Sequence, residues 1–215
     1  VSEIGCKRVL FSDDWYPAIA SGMVDLEPSA LVGIEHGQLV AGSGRRIDAD
    51  VLVLATGFHT AQQPYAELVR GSEGRSLAEH WADGMTSFAS TVVTGFPNLF
   101  VLNGPNASLG HNSSIVMIEA QLDFVLDALE HLQQRGDGVL EVRPQAEADY
   151  TAALDAAARS TVWLTGGCRS WYVDERSGRL TLLWPGTATA FRERGAVFDR
   201  SAFHPDHVDA DLPSV

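Results

Sequence analysis

Residues 98–114, NLFVLNGPNASLGHNSS, run from an apolar segment through Asn-Gly-Pro-Asn into polar text, and beyond them the period of the chain changes. Over residues 114–134 the side chains of Ile115, Ile118, Leu122, Val125, Leu126 and Leu129 recur every three or four positions. That spacing predicts one apolar face of a helix. Asn112, Ser113 or Ser114 can cap its start, and Gly136 can end it. Residues 98–106 read as a buried strand closing in Asn-Gly-Pro-Asn, so the order is strand, turn, helix. The start of a helix carries unpaired amides and the positive end of the dipole, which suits an anion or a polarised carbonyl. Gly104 and Gly110 are expected to leave room for a flat ligand there, and His111, Asn112, Ser113 and Ser114 add polar side chains. His111, as a lone histidine, reads as a solvated or hydrogen-bonded bystander before it reads as an acid or base.

A second segment points the same way. Residues 51–58, VLVLATGF, place four apolar residues without alternation before a Thr-Gly pair. Such a run is expected where a strand is covered on both faces, as in the parallel sheet of an α/β protein, and ligands gather beyond the carboxyl ends of those strands. Thr56 and Gly57 stand at that end, although Gly57 also reads as a plain chain turn. Short strands are expected at 9–12, 24–26 and 31–34, with a tight turn at Gly42-Ser43-Gly44. Helices are expected at 76–81 and 145–158, irregular structure at 161–191, and a disordered tail from His204.

Composition excludes some functions. The chain of 215 residues is 45% hydrophobic with nine Phe and five Trp, enough for a sizeable core. Its net charge of −13 is spread along the sequence, which argues against nucleic acid or an anionic membrane as partner. Apolar runs are far shorter than the roughly 18 residues of a spanning helix, and a cytoplasmic location is the expectation. Cys6 and Cys168 lack disulfide or metal-site spacing and read as reduced structural thiols, with no metal expected. The adjacent cations of GCKR at 5–8 read by themselves as a solvated pair.

Taken in order, GCKRVLFSDDWYP (5–17), DADVLVLATGF (48–58), GFPNLFVLNGPNASLGHNSSIVMIEAQ (95–121), GCRSWYVDERSGR (167–179) and LWPG (183–186) resemble the carboxyl-terminal part of class B flavin-dependent monooxygenases. That group includes the Baeyer–Villiger and 4-hydroxyacetophenone-monooxygenase-like enzymes. The resemblance implies an α/β flavoprotein with two dinucleotide-binding, Rossmann-like domains. In it FAD, reduced by NADPH, captures oxygen as a C4a-peroxide and oxygenates a small organic substrate, converting a ketone to an ester. N- or S-hydroxylation, or a truncated non-catalytic module, are the alternatives.

By the same resemblance, residues 1–54 are terminal strands of the NADPH-binding domain. Residues 55–215 are the carboxyl-terminal segment of the FAD-binding domain, with an irregular cap near 161–195. Arg8 matches the active-site arginine beside the flavin, and Lys7 the cation for the NADPH 2′-phosphate. Thr56 and Gly57 match the passage between domains. Asn103, Gly104, Pro105, Asn106, Ser113 and Ser114 match the segment facing the isoalloxazine, and Trp171 an aromatic that packs against NADP. No GxGxxG occurs in the 215 residues, and position 1 is Val. The expectation is a portion of a larger enzyme that needs the missing amino-terminal half for turnover.

Overall fold

The computed structural model describes residues 8, 10–58, 60–135, 138–167 and 170–205. Lys7, Cys6, Cys168, Gly136 and the tail from Asp206 lie outside them, as do the expectations attached to those positions.

The chain divides into two compact units, Leu10–Phe58 and a larger one made of His59–Val215 together with Val1–Val9, so that Arg8 counts with the larger. The smaller unit holds a short helix, α1 (Trp15–Ala20), and an antiparallel meander of β1 (Leu31–Glu35), β2 (Gln38–Ala41) and β3 (Arg46–Ile47). His36 and Gly37, at φ 52° and 83°, close the β1–β2 hairpin in the left-handed conformations that a two-residue turn requires. Glu35 and Arg46, 2.6 Å apart, pair across the exposed meander. The turn expected at residues 42–44 forms, with the Gly44 amide donating to the Ala41 carbonyl.

Here the structure departs from the covered parallel sheet expected from the sequence. Residues 51–54 belong to no strand, and Val51 and Leu54 are 77% and 70% exposed. Residues 10–12 and 24–26 are likewise outside any strand, and residues 98–106 contribute one bridge, Phe100 to Val92. A run of Val and Leu becomes a buried strand only when a neighbour pairs with its backbone and a layer covers its side chains. Among the described residues neither is supplied to residues 51–54.

The larger unit is helical: α2 (Leu77–His80), α3 (Ser114–Arg135), α4 (Pro144–Ala158), α5 (Val162–Thr165) and α6 (Ala188–Gly195). α2 carries a full capping box, Ser76 Oγ accepting from the Glu79 amide while Glu79 accepts from the Ser76 amide. α6 lies inside the stretch expected to be irregular; Thr187 caps it by accepting from the Ala190 amide. α3 is the spine. Met117, Ala120, Gln121, Phe124 and Ala128 are buried along it, joining one core around Phe124, Val142 and Phe203 to a second around Met117, Tyr150, Trp184 and Phe191.

The buried face of α3 is turned away from most of the one its periodicity pointed to: of the six residues, Val125 packs against the Phe124 core and Ile118 is half-buried. Ile115 and Leu126 are each 62% exposed, and Leu122 and Leu129 are exposed beside them. At 3.6 residues per turn the two sets sit on opposite sides of the helix. The core face is chosen by what packs against it. Two small residues, Ala120 and Ala128, admit close neighbours there, and a glutamine supplies hydrogen bonds.

Between α2 and α4 lies a buried carboxylate. Glu147 accepts from Thr86 Oγ1 at 2.6 Å and from the Thr94 amide at 2.6 Å, and lies 3.4 Å from His80 Nε2. Burial raises its pKa, but the bonds from His80, Thr86 and Thr94 outweigh burial and hold it below the usual carboxylate range. A folded-state pKa below the unfolded one contributes stability above the ordinary carboxylate range and loses it as pH falls through the folded value. Glu147→Gln keeps one acceptor oxygen, enough for Thr86 and His80 but not also for the Thr94 amide, and does not titrate. The melting temperature of the wild type is therefore expected to fall more steeply than that of E147Q as pH drops from about 6 to about 3. Parallel slopes in the two proteins would refute this role.

Candidate functional site

The loop of residues 103–113 is held from three sides. Asn103 and Asn106 both adopt left-handed backbone, at φ 52° and 54°, a conformation asparagine tolerates better than other residues bearing a side chain. Asn106 is buried, and its carboxamide is committed to the protein: Nδ2 donates to the carbonyls of Leu180 (2.5 Å) and Leu183 (2.9 Å), while its amide donates to Thr181 O at 2.8 Å. Asn103 is exposed, and its Oδ1 accepts from Ser108 Oγ at 3.0 Å. Pro105 is buried between them.

The two glycines serve the packing of the chain itself. A Cβ on Gly104 would stand 2.7 Å from Val101 Cγ1, and one on Gly110 would meet the Trp163 ring at 3.2 Å. The room expected for a flat ligand at these positions is taken by Val101 and Trp163.

Beyond the loop α3 opens to solvent. Ser113 is exposed; its Oγ accepts from the Ile115 amide at 3.2 Å, and its own amide donates to Asn112 Oδ1 at 2.7 Å. Ser113 is thus the capping side chain among the three candidates, and Ser114 is the first helical residue. His111 is exposed.

Arg8 reaches this loop. Its Nη1 donates to the Leu109 carbonyl at 3.2 Å, across 101 positions of sequence, while the residue stays exposed. One guanidinium hydrogen of five is thereby used for placement. The structure thus places Arg8 on Leu109, in the loop that leads from residues 103–106 to Ser113 and the start of α3 at Ser114. Thr56 and Gly57 lie in the smaller unit; both are exposed, and Gly57, at φ 92°, adopts a conformation that favours glycine.

Trp171 is half exposed and lies against Tyr172, ring centroids 4.5 Å apart. A short hairpin supports it: Val173 bridges Leu180, and the buried Asp174 is held by Arg176 at 2.7 Å. Burial raises the Asp174 pKa, and the Arg176 bonds more than offset this, so the carboxyl stays below its usual range. Arg176 also donates to the Ala61 carbonyl.

Sequence reasoning missed Ser90, Gln121 and Tyr150, which form the floor beneath the loop. Ser90 Oγ lies 3.2 Å from Tyr150 Oη and donates to the Asn106 carbonyl at 3.3 Å. Burial pushes the Tyr150 phenol up to about 12, against a smaller lowering by Ser90, so it stays protonated.

No family model matches the chain. In sequence it is 44% identical over 190 residues to a Baeyer–Villiger monooxygenase of Streptomyces coelicolor, covering 88% of this chain and 36% of that protein. A Baeyer–Villiger monooxygenase of Pseudomonas aeruginosa is 41% identical over 202 residues, 94% of this chain and 38% of its own length. In structure the chain superposes on an oxidised steroid monooxygenase bound to NADP, with a TM-score of 0.64 and 31% identity, over 79% of this chain and 32% of that one. Cyclohexanone monooxygenase from Rhodococcus sp. Phi1 bound to NADP+ gives a TM-score of 0.72 at 25% identity, over 87% and 36%. The chain is therefore similar, over most of its own length, to a part of Baeyer–Villiger monooxygenases that makes up little more than a third of theirs.

Proposed function

We propose that this chain is the carboxyl-terminal section of an FAD- and NADPH-dependent monooxygenase that inserts one atom of O2 beside the carbonyl of a small ketone, giving an ester or lactone and water. The observation that carries the reading is Arg8, anchored on the Leu109 carbonyl at the open end of α3, in a chain 41–44% identical to Baeyer–Villiger monooxygenases. A permanent cation fixed there suits negative charge developing on the oxygen being transferred.

The residues present fit a flavin: Ser113, which caps α3, and Ile115 in its first turn are exposed, and helix-start amides suit a polarised carbonyl edge. Asn103, at the exposed end of the turn that Gly104, Pro105 and Asn106 build from within, would meet the ring with Ser113 and Ser114; Lys7 and Trp171 would meet NADPH, and Thr56 and Gly57 would join the two nucleotide domains. The flavin, when bound, supplies the hydride acceptor and the oxygen-transfer chemistry. The pyrophosphate cradles would come from polypeptide beyond these residues, since no glycine-rich GxGxxG turn occurs here.

That polypeptide would also cover the outer face of α3, where Ile115, Leu122, Leu126 and Leu129 are exposed in a row. Leu126→Asp is expected to change the stability of the 215-residue chain by less than about 0.5 kcal/mol. In the full-length enzyme the same change would bury a carboxylate, and flavin loading should collapse. Equal effects in both would remove the face from this role.

The reaction is tested by supplying the full-length protein, NADPH and O2 with a cyclic ketone and with a tertiary amine. A yellow protein that yields lactone supports the reading. N-oxide alone places it with heteroatom hydroxylases, and a colourless protein without NADPH oxidation reduces it to a binding module.

A further inference from the structure

Gln121 is wholly buried on the inner face of α3, two turns in from the start of the helix. Both ends of its carboxamide are used. Oε1 accepts from the Asn103 amide at 2.8 Å; Nε2 donates to the Ser90 carbonyl at 2.6 Å and the Val101 carbonyl at 3.2 Å, and lies 3.1 Å from Thr91 Oγ1. These partners belong to two separate segments, residues 90–91 and 101–103, which the side chain ties to the helix. The left-handed backbone of Asn103 gives up local comfort, so an outside bond must hold it. Asn106 is fixed separately through Leu180 and Leu183; at the Asn103 end the Gln121 bond holds the backbone, beside the exposed side-chain bond from Ser108.

We infer that Gln121 is the positioning residue for the 103–106 segment, setting where that loop stands before the open end of α3. Resting on the flavin reading above, it thereby sets the loop's approach to the isoalloxazine. Few side chains can do this. The site needs one acceptor and at least one donor on a planar group reaching in opposite directions. An ionised glutamate offers acceptors alone and would face the Ser90 and Val101 carbonyls unfavourably, so burial would drive it to take up a proton. Methionine keeps the volume and leaves three buried backbone groups unpaired. Neutral histidine retains one donor and one acceptor.

The test compares Gln121→Met, Gln121→Leu and Gln121→His in the full-length protein, first by amide hydrogen exchange. In Q121M the Asn103 amide should exchange roughly tenfold faster or more, while the amides of residues 124–128 keep wild-type protection. Q121H should restore slow exchange. This readout needs no flavin, so it survives failure of the functional reading. If the wild type carries flavin, Q121M should also shift the flavin absorption band and lower the ester formed per NADPH consumed, with Q121H recovering both. Wild-type exchange at Asn103 in Q121M, or equal damage in Q121H and Q121M, would overturn the assignment. Should Q121M fail to fold, Q121H against Q121L decides: both are close to glutamine in size, and only the first keeps an acceptor for the Asn103 amide, so equal exchange in these two overturns it as well.

Discussion

Arg8→Ala in the full-length enzyme is expected to cut ester formation by about two to three orders of magnitude while flavin stays bound and NADPH is still consumed. Arg8 is exposed and, among the described residues, gives the fold one hydrogen bond, to Leu109, whose loss costs about 1 kcal/mol. Stability should therefore hardly change. What disappears is the fixed positive charge at the open end of α3. Arg8→Lys should recover only part of the yield, because an ammonium on a flexible stem cannot donate to Leu109 and keep the same directed hydrogens free. The checks are product per NADPH, melting temperature and flavin content measured together. Normal ester yield in R8A would sink the assignment. Loss of flavin along with the product would instead make Arg8 a residue of cofactor retention.

Phe124→Ala should have the largest effect on stability, about 3–5 kcal/mol. Phe124 has no exposed surface and packs edge-on to Phe198, ring centroids 5.6 Å apart, and obliquely to Phe203 at 6.4 Å. The ring joins α3 to the segment after α6, where the Val142 to Phe203 bridge ties in the start of α4. Removing it opens a cavity at the centre of three elements that cannot collapse independently, and the loss is a large part of a typical domain's stability. Phe124→Leu should lose less than half as much. Urea titration of both variants measures this, and an F124A midpoint within error of the wild type would contradict the packing described.

Some of this was legible in the residues. α3 and α4 form where their three- and four-residue spacing, a Ser cap and a leading Pro put them, because these signals act within a turn or two of the chain. The Asn-Gly-Pro-Asn turn and Gly57 likewise advertise left-handed backbone locally. The likeness to flavin monooxygenases also rests on residues in linear order.

Tertiary structure alone decided the rest. α3 is apolar on two opposite sides, and its strongest hydrophobic stripe lies outward, so periodicity identified a helix without identifying its core face. Residues 51–54 carry the composition of a buried strand and remain unpaired, because a strand is made by neighbours and not by its own side chains. Gly104, Asn106 and Gln121 took their roles from residues 3 to 77 positions away: Val101 beside the glycine, Leu180 and Leu183 beneath the asparagine, and Ser90 and Asn103 at the two ends of the glutamine. A sequence lists donors and acceptors, and only the folded chain pairs them.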